Sequence, residues 1–339
     1  MSGKNRAMYL DASHQFTKRE CEIPEPAQDE VLIKIAANGI CGSDIHFYSE
    51  GRLGNFVVSK PYIPGHEASG TVVATGSGVK RFSTGEKVVI EPGIPCGRCT
   101  VCMSGRYNLC PDVVFLSAPP INGTFCDYIC VRSDFVFSVP ENMSLEHAAL
   151  VEPAAVAVHS VNRAGALNGK TGLVFGAGPI GLLTLQAFKA AGGGRVICVD
   201  IMDNRLEIAA KLGADEVINP KNAPKLENLA DVVFETAGST VTTAQLFTAA
   251  RVGASVVQVG WPVGNHVNMN IADLLDKELT YTGVNRYANA YPPAIQYICD
   301  GRIDVKPLIT HTFDFEDTPH AFQFAKENPD KVIKVVIKN

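Results

Sequence analysis

Four cysteines, Cys96, Cys99, Cys102 and Cys110, follow one another in the pattern Cys-x2-Cys-x2-Cys-x7-Cys. Four thiolates so spaced can close a tetrahedron around Zn²⁺ and leave no position open, so the site they predict is structural. A disulfide framework is disfavoured, because Met1 to Lys18 carries charges and no apolar core and no targeting segment is expected there. The ferredoxin run Cys-x2-Cys-x2-Cys-x3-Cys-Pro shares Pro111 after Cys110, but the last gap does not fit. A zinc finger that reads nucleic acid is at odds with a net charge of −5 and no basic stripe.

A second, different metal site is expected from Cys41-Gly-Ser43-Asp-Ile-His46 and Gly65-His66-Glu67. A thiolate and an imidazole are good zinc ligands, and a catalytic zinc takes three protein ligands and keeps one exchangeable position. Glu67 is the first candidate for the third ligand and Glu152 the second. One thiolate and one carboxylate balance the two charges of the metal. Binding both carboxylates would leave the site anionic, so one is expected on the metal and the other behind a water.

The third constellation is Gly176-Ala-Gly178-Pro179-Ile180-Gly181, which follows the apolar run Leu173-Val-Phe and opens a helical pattern. In that context it matches the dinucleotide fingerprint: a tight turn at Gly176, backbone approach to a pyrophosphate at Gly178, and close helix–strand packing at Gly181. Asp200 ends the next strand and is placed to accept from both adenosine ribose hydroxyls. A carboxylate there repels a 2′-phosphate, so NAD is expected over NADP. Arg205, at the start of the following helix, is a candidate for the adenine side.

The elements that must position these groups fall into two patterns. Up to about residue 150 the chain shows short strands, Val31-Leu-Ile-Lys-Ile-Ala, Gly70-Thr-Val-Val-Ala and Lys87-Val-Val-Ile, separated by glycine and proline turns. A helix is expected from about Leu145 to Val161. From Gly172 strands alternate with helices, which implies βαβ units and a parallel sheet. A final strand, Val332-Ile-Lys-Val-Val-Ile, is expected to pair back into the first region. The fold class is therefore α/β: a β-rich domain over 1–153 and 288–339, and a doubly wound parallel sheet over 154–287.

The chain has 339 residues, 46% hydrophobic and 19% charged, which suits a well-buried enzyme. The longest uncharged run, Thr171 to Phe188, is broken by four glycines and Pro179, so no membrane partner is expected. Ten cysteines without a visible leader point to a reducing, cytoplasmic setting. Cys21, Cys126, Cys130, Cys198 and Cys299 are expected to be buried thiols.

Together these residues resemble the zinc-dependent medium-chain dehydrogenases over essentially the whole chain, and within them the sorbitol/xylitol (polyol) branch. The matching stretches include Cys41-Gly-Ser-Asp-Ile-His46-Phe-Tyr48, Gly51-Arg-Leu-Gly-Asn-Phe56, Pro64-Gly-His-Glu-Ala-Ser-Gly70, Gly105-Arg-Tyr-Asn-Leu-Cys110, Glu152-Pro153 and Arg286-Tyr287. The resemblance implies a GroES-like catalytic domain and a Rossmann domain, with one catalytic and one structural Zn²⁺ per chain. It implies Cys41, His66 and Glu67 on the catalytic zinc, with Glu152 behind a water. Tyr48, Glu152, Arg286 and Tyr287 would contact a polyol substrate. Ile180, Asp200, Arg205 and the Val284-Asn285-Arg286 segment would line NAD, and Ser43 and His46 would move a proton. It also implies a homotetramer or homodimer. The expected activity is NAD-dependent oxidation of a sugar alcohol to a ketose. The alternatives are an L-threonine or small vicinal-diol dehydrogenase, or an inactive protein that binds zinc and NAD. Threonine dehydrogenases share both zinc sites but typically have Asp-Pro in place of Glu152-Pro153.

Overall fold

A computed structural model describes residues 3–222 and 225–339. The chain divides into two compact units, Met1–Glu152 with Leu308–Asn339, and Pro153–Pro307.

The first unit is organised by the strand Glu30–Gly39, whose alternating apolar residues Val31, Ile33 and Ile35 are at most 1% exposed. It pairs antiparallel with Glu67–Thr75, with Tyr128–Arg132 and with the C-terminal strand Lys334–Lys338. Lys87–Ile90, Val136–Ser138 and Ile309–Asp314 complete a seven-stranded sheet, antiparallel except where Ile309–Asp314 meets Lys334–Lys338. Val31, Ile33 and Ile35 pack on Val72, Val88, Ile90 and Val131, while Phe125, Phe322, Val335 and Ile337 form a second core cluster. The expected return of the last strand into the first unit is what the structure shows.

The second unit is a six-stranded parallel sheet, in the order Glu216–Ile218, Val196–Val199, Gly172–Phe175, Ala230–Glu235, Ala250–Gln258, Thr280–Gly283. By position along the chain this is strand order 3-2-1-4-5-6, that of a dinucleotide-binding sheet. Its inner strands are buried end to end, as parallel strands covered on both faces must be.

Three expectations need correction. The return to the first unit comes at Leu308, not at 288. Residues up to 307 stay with the parallel sheet because the buried Gln186 side chain clamps Asp304: its Oε1 accepts from the Asp304 amide at 2.7 Å and its Nε2 donates to the Asp304 carbonyl at 3.2 Å. The helix expected over 145–161 is two helices, Leu145–Ala149 and Val151–Arg163. Pro153 has no amide to donate back to Ala149, which removes the hydrogen bond that would have carried one helix through Leu150. Finally, Cys126 and Cys198 are buried thiols as expected, but Cys21 and Cys299 are exposed and Cys130 is half-buried. Cys21 lies on the N-terminal hairpin strand Phe16–Glu22, most of whose residues face solvent.

Candidate active site

Cys41, His66 and Glu67 come from two sides of the organising strand. Cys41 follows its end and is the N-cap of the helix Gly42–Glu50. Glu67 opens the neighbouring strand, in register with Gly39. A Cβ at position 39 would stand 2.0 Å from Glu67 Oε2, so only glycine leaves space for this carboxylate. One ligand atom from each of Cys41, His66 and Glu67 lies within 4.8 Å of the others. His66 and Glu67 are 5% and 1% exposed. Of the two candidate carboxylates, Glu67 is the one that joins this cluster.

The cluster has the chemistry of a cation site. His66 is fully enclosed: burial pushes its pKa down, but Asp44, Cys41 and Glu152 outweigh burial and hold it well above the ordinary histidine value. Its Nδ1 is buried without a hydrogen-bond partner, 3.7 Å from Asp44 Oδ1. An imidazole held beside a thiol and two carboxylates is a donor set and a charge environment that suit a divalent metal. The residues therefore fit Zn²⁺. Glu152 acts on His66 through its charge from the first turn of the helix Val151–Arg163.

Two residues of this site carry little signal in the sequence. Asp44 is completely buried; it accepts from the Cys41 amide at 3.0 Å and from Ser117 Oγ at 3.0 Å, and it faces His66. A histidine ligand commonly has such a carboxylate to fix its ring. The spacing of an acid three residues after a helix N-cap is the available signal. Lys334, the first residue of the last strand, donates to both oxygens of Glu67, at 2.7 and 2.8 Å. Its signal in the sequence is a single charge within the apolar run 332–337.

His46 is exposed and pairs with Glu50 one helical turn on, at 3.1 Å, while Ser43 is half-buried on the same helix. The Tyr48 ring packs on Phe16 and Phe322, both with centroids 5.7 Å away, under the Lys326 ammonium. Packing of the helix Gly42–Glu50 accounts for that ring.

Cys96, Cys99, Cys102 and Cys110 also gather with their sulfurs within 4.8 Å of one another. Backbone amides point at them: Cys96 N donates to Cys110 Sγ at 3.4 Å and Cys102 N to Cys99 Sγ at 3.5 Å. Hydrogen bonds from the Arg98 and Cys99 amides lower the Cys96 thiol to about 6, whereas lost solvation and then the Cys99 and Cys110 sulfurs push Cys102 up to about 12. Four thiols this close do not ionise together without a cation, so this set too fits zinc. Between Cys102 and Cys110, Tyr107 Oη donates to Glu91 Oε1 at 2.9 Å. Burial raises the Glu91 carboxyl to about 7, and the charge of Glu152 adds to the rise.

In the second unit the glycine loop has the expected form. Gly176 has φ +95°, and a Cβ there would press on the Ala237 backbone at 2.9 Å. A Cβ on Gly181 would stand 2.7 Å from Thr236 Oγ1, so the helix Pro179–Ala190 can lie against the sheet only with glycine there. Gly178 faces open space, and a Cβ there would meet only Arg205 Nη1, at 3.9 Å. Asp200 accepts from the Ala177 amide at 2.7 Å and from the Met202 amide at 2.9 Å. It therefore pins the glycine loop, a role beyond the ribose contact expected of it. The turn after the fourth strand is set by Glu235, fully buried, which accepts from the Ala237 and Gly238 amides, Thr242 Oγ1 and Gln258 Nε2. Arg286 has φ +58°, a left-handed conformation that L-residues adopt at a cost. Tyr287 is buried, its ring centroid 5.6 Å from that of Tyr291.

A closed thiolate cluster and an open three-ligand cluster in one unit, with a dinucleotide-type sheet in the other, define a zinc-dependent dehydrogenase. Residues 27–141 match the alcohol dehydrogenase GroES-like domain, and residues 179–299 match the zinc-binding dehydrogenase domain. The chain is 42% identical to sorbitol dehydrogenase of Bacillus subtilis, over 98% of this chain and 96% of that one. It is 40% identical to sorbitol dehydrogenase 1 of Saccharomyces cerevisiae, over 98% of each. Among solved structures, an Escherichia coli oxidoreductase/dehydrogenase of unknown specificity superposes with a TM-score of 0.95 at 40% identity, covering 99% of both chains. The chain belongs to the zinc-type medium-chain alcohol dehydrogenase family. Among the described residues no helix is long and apolar enough to cross a membrane.

Proposed function

We propose that this protein is an NAD-dependent polyol dehydrogenase that oxidises a secondary hydroxyl of a sugar alcohol to a ketone, reversibly. The observation that carries the reading is the Cys41–His66–Glu67 cluster, with one thiolate and one carboxylate, in a chain about two-fifths identical to sorbitol dehydrogenases. When bound, zinc supplies Lewis acidity at the alcohol oxygen and NAD takes the hydride. The residues of the chain do the rest. Cys41, His66 and Glu67 hold the metal, and Asp44 fixes the His66 ring. Ser43 and His46 pass the hydroxyl proton outward, which the exposure of His46 supports. Glu152 holds a water or a substrate hydroxyl. Arg286, Tyr287 and the hydroxyl of Tyr48 bind hydroxyls away from the reacting carbon. The strained backbone at Arg286 supports such a role, since strain of this kind gathers at functional positions. Assembly as a homotetramer or homodimer in the cytoplasm goes with this reading.

A panel of sorbitol, xylitol, galactitol and 2-propanol with NAD, followed by NADH absorbance, tests the substrate class. A sugar alcohol is expected to exceed 2-propanol in kcat/KM, because buried polar groups left unpaired by a monoalcohol cost binding. Arg286→Ala should lower kcat/KM for the sugar alcohol far more than for 2-propanol. Equal losses on both substrates, or 2-propanol as the best substrate, would end the polyol reading.

NAD is expected to be strongly preferred over NADP. Asp200→Ala should weaken NADH binding by about 1.5–3 kcal/mol, the range for a hydrogen bond to a charged group, as read by fluorescence titration. Since Asp200 also holds the Ala177 amide, binding of ADP should weaken as well. Comparable use of NADP by the wild type would show that Asp200 does not select the cofactor.

A further inference from the structure

Lys334 is 3% exposed and Glu67 1%, and they meet as an ion pair closed off from water. The ammonium uses all three of its donors, on Glu67 Oε1 at 2.7 Å, Glu67 Oε2 at 2.8 Å and the Ile40 carbonyl at 3.1 Å. Cys41 and Glu152 act on the same ammonium electrostatically. Burying a lysine costs solvation free energy, and one ion pair with good geometry roughly offsets that cost. The fold places it by joining the last strand to the end of Glu30–Gly39, which puts a cation beside a cluster already shaped for one. For a site that only had to hold metal, this would be the wrong charge.

We propose that Lys334 sets the charge of the metal centre: its ammonium offsets one negative charge of the Cys41–His66–Glu67 donor set, keeping the bound metal electrophilic while weakening its affinity. The inference rests on the zinc reading proposed for this site. With Zn²⁺, the Cys41 thiolate and the Glu67 carboxylate, the donor set is neutral; Lys334 adds one positive charge to it, against the nearby charges of Asp44 and Glu152. Among groups as buried as Lys334, Glu67 and His66 that difference acts strongly on a developing negative charge at the alcohol oxygen. Lys334 is a positioning residue that acts through Glu67 and touches neither substrate nor metal.

The proposal makes zinc affinity and catalysis move in opposite directions, which a merely structural lysine would not do. In Lys334→Met, zinc affinity measured by chelator competition should rise about tenfold, and kcat/KM for the preferred polyol should fall about 10–100-fold, the range for residues behind metal ligands. Zinc affinity and kcat/KM falling together, or an unchanged zinc affinity, would overturn it. A double-mutant cycle covers the case in which Lys334→Met does not fold alone. Glu67→Gln/Lys334→Met should bind zinc more tightly than Glu67→Gln, because the unpaired ammonium repels the metal. Equal affinities in that pair would overturn the proposal. A wild-type protein that binds only one zinc would overturn the zinc reading and this inference with it. Two zincs whose affinity ignores Lys334 would overturn the inference alone.

Discussion

Cys41→Ser should reduce kcat/KM by roughly 10³-fold or more while leaving the fold in place, since Lewis-acid activation supplies several kcal/mol. The fold should survive for a local reason. Position 41 is the N-cap of Gly42–Glu50, serine is among the favoured N-cap residues, and Asp44 still accepts from the residue 41 amide. The Lys334–Glu67 pair is also untouched. The variant should melt near the wild-type temperature and retain one zinc per chain, against two for the wild type. Substantial remaining turnover, or iron in place of zinc, would refute the assignment.

Cys102→Ser should have the opposite signature: loss of the other zinc and local unfolding around it. The helix Thr100–Met103 has four residues, none of them buried, and its Met103 is 75% exposed. So short a helix has no intrinsic stability, and no apolar face ties it down. A structural zinc contributes on the order of 10 kcal/mol to the folding of small zinc domains, far more than this lobe can replace. Limited proteolysis should therefore cut the variant between 93 and 115 and spare the wild type. The damage should spread to Glu91, because Tyr107 reaches it from within the lobe. A variant with both zincs and wild-type protease resistance would show that the four sulfurs are not a structural metal site.

Both metal clusters and the glycine loop were legible in the sequence because each depends on residue type at short spacing. Cys96 to Cys110 form one local loop, and Gly176, Gly178 and Gly181 lie within six residues of one another, with the close approaches at Gly176 and Gly181 each leaving no room for a Cβ. Likewise the two fold patterns followed from strand alternation and βα alternation. The edges of elements were harder. Leu150 separates two helices because of one missing proline hydrogen bond, and Asp304 belongs to the second unit through one glutamine.

What the tertiary structure decided was charge. From the sequence Glu67 was the first candidate for the third ligand and Glu152 the second, but the residues alone left both open. Register settles which one joins the cluster: Glu67 stands opposite Gly39, beside the strand end that leads into Cys41, where a missing Cβ makes its space. Lys334 is 267 residues from Glu67 in sequence, and no spacing rule links them. Only the antiparallel pairing of the last strand with Glu30–Gly39 brings that ammonium to the carboxylate. The seating of the Tyr48 ring is tertiary in the same way, because a helix face is chosen by what packs on it, here Phe16 and Phe322. Ligand types are written in a few neighbouring residues, whereas the field around them is the sum of charges that strand pairing gathers from the whole unit.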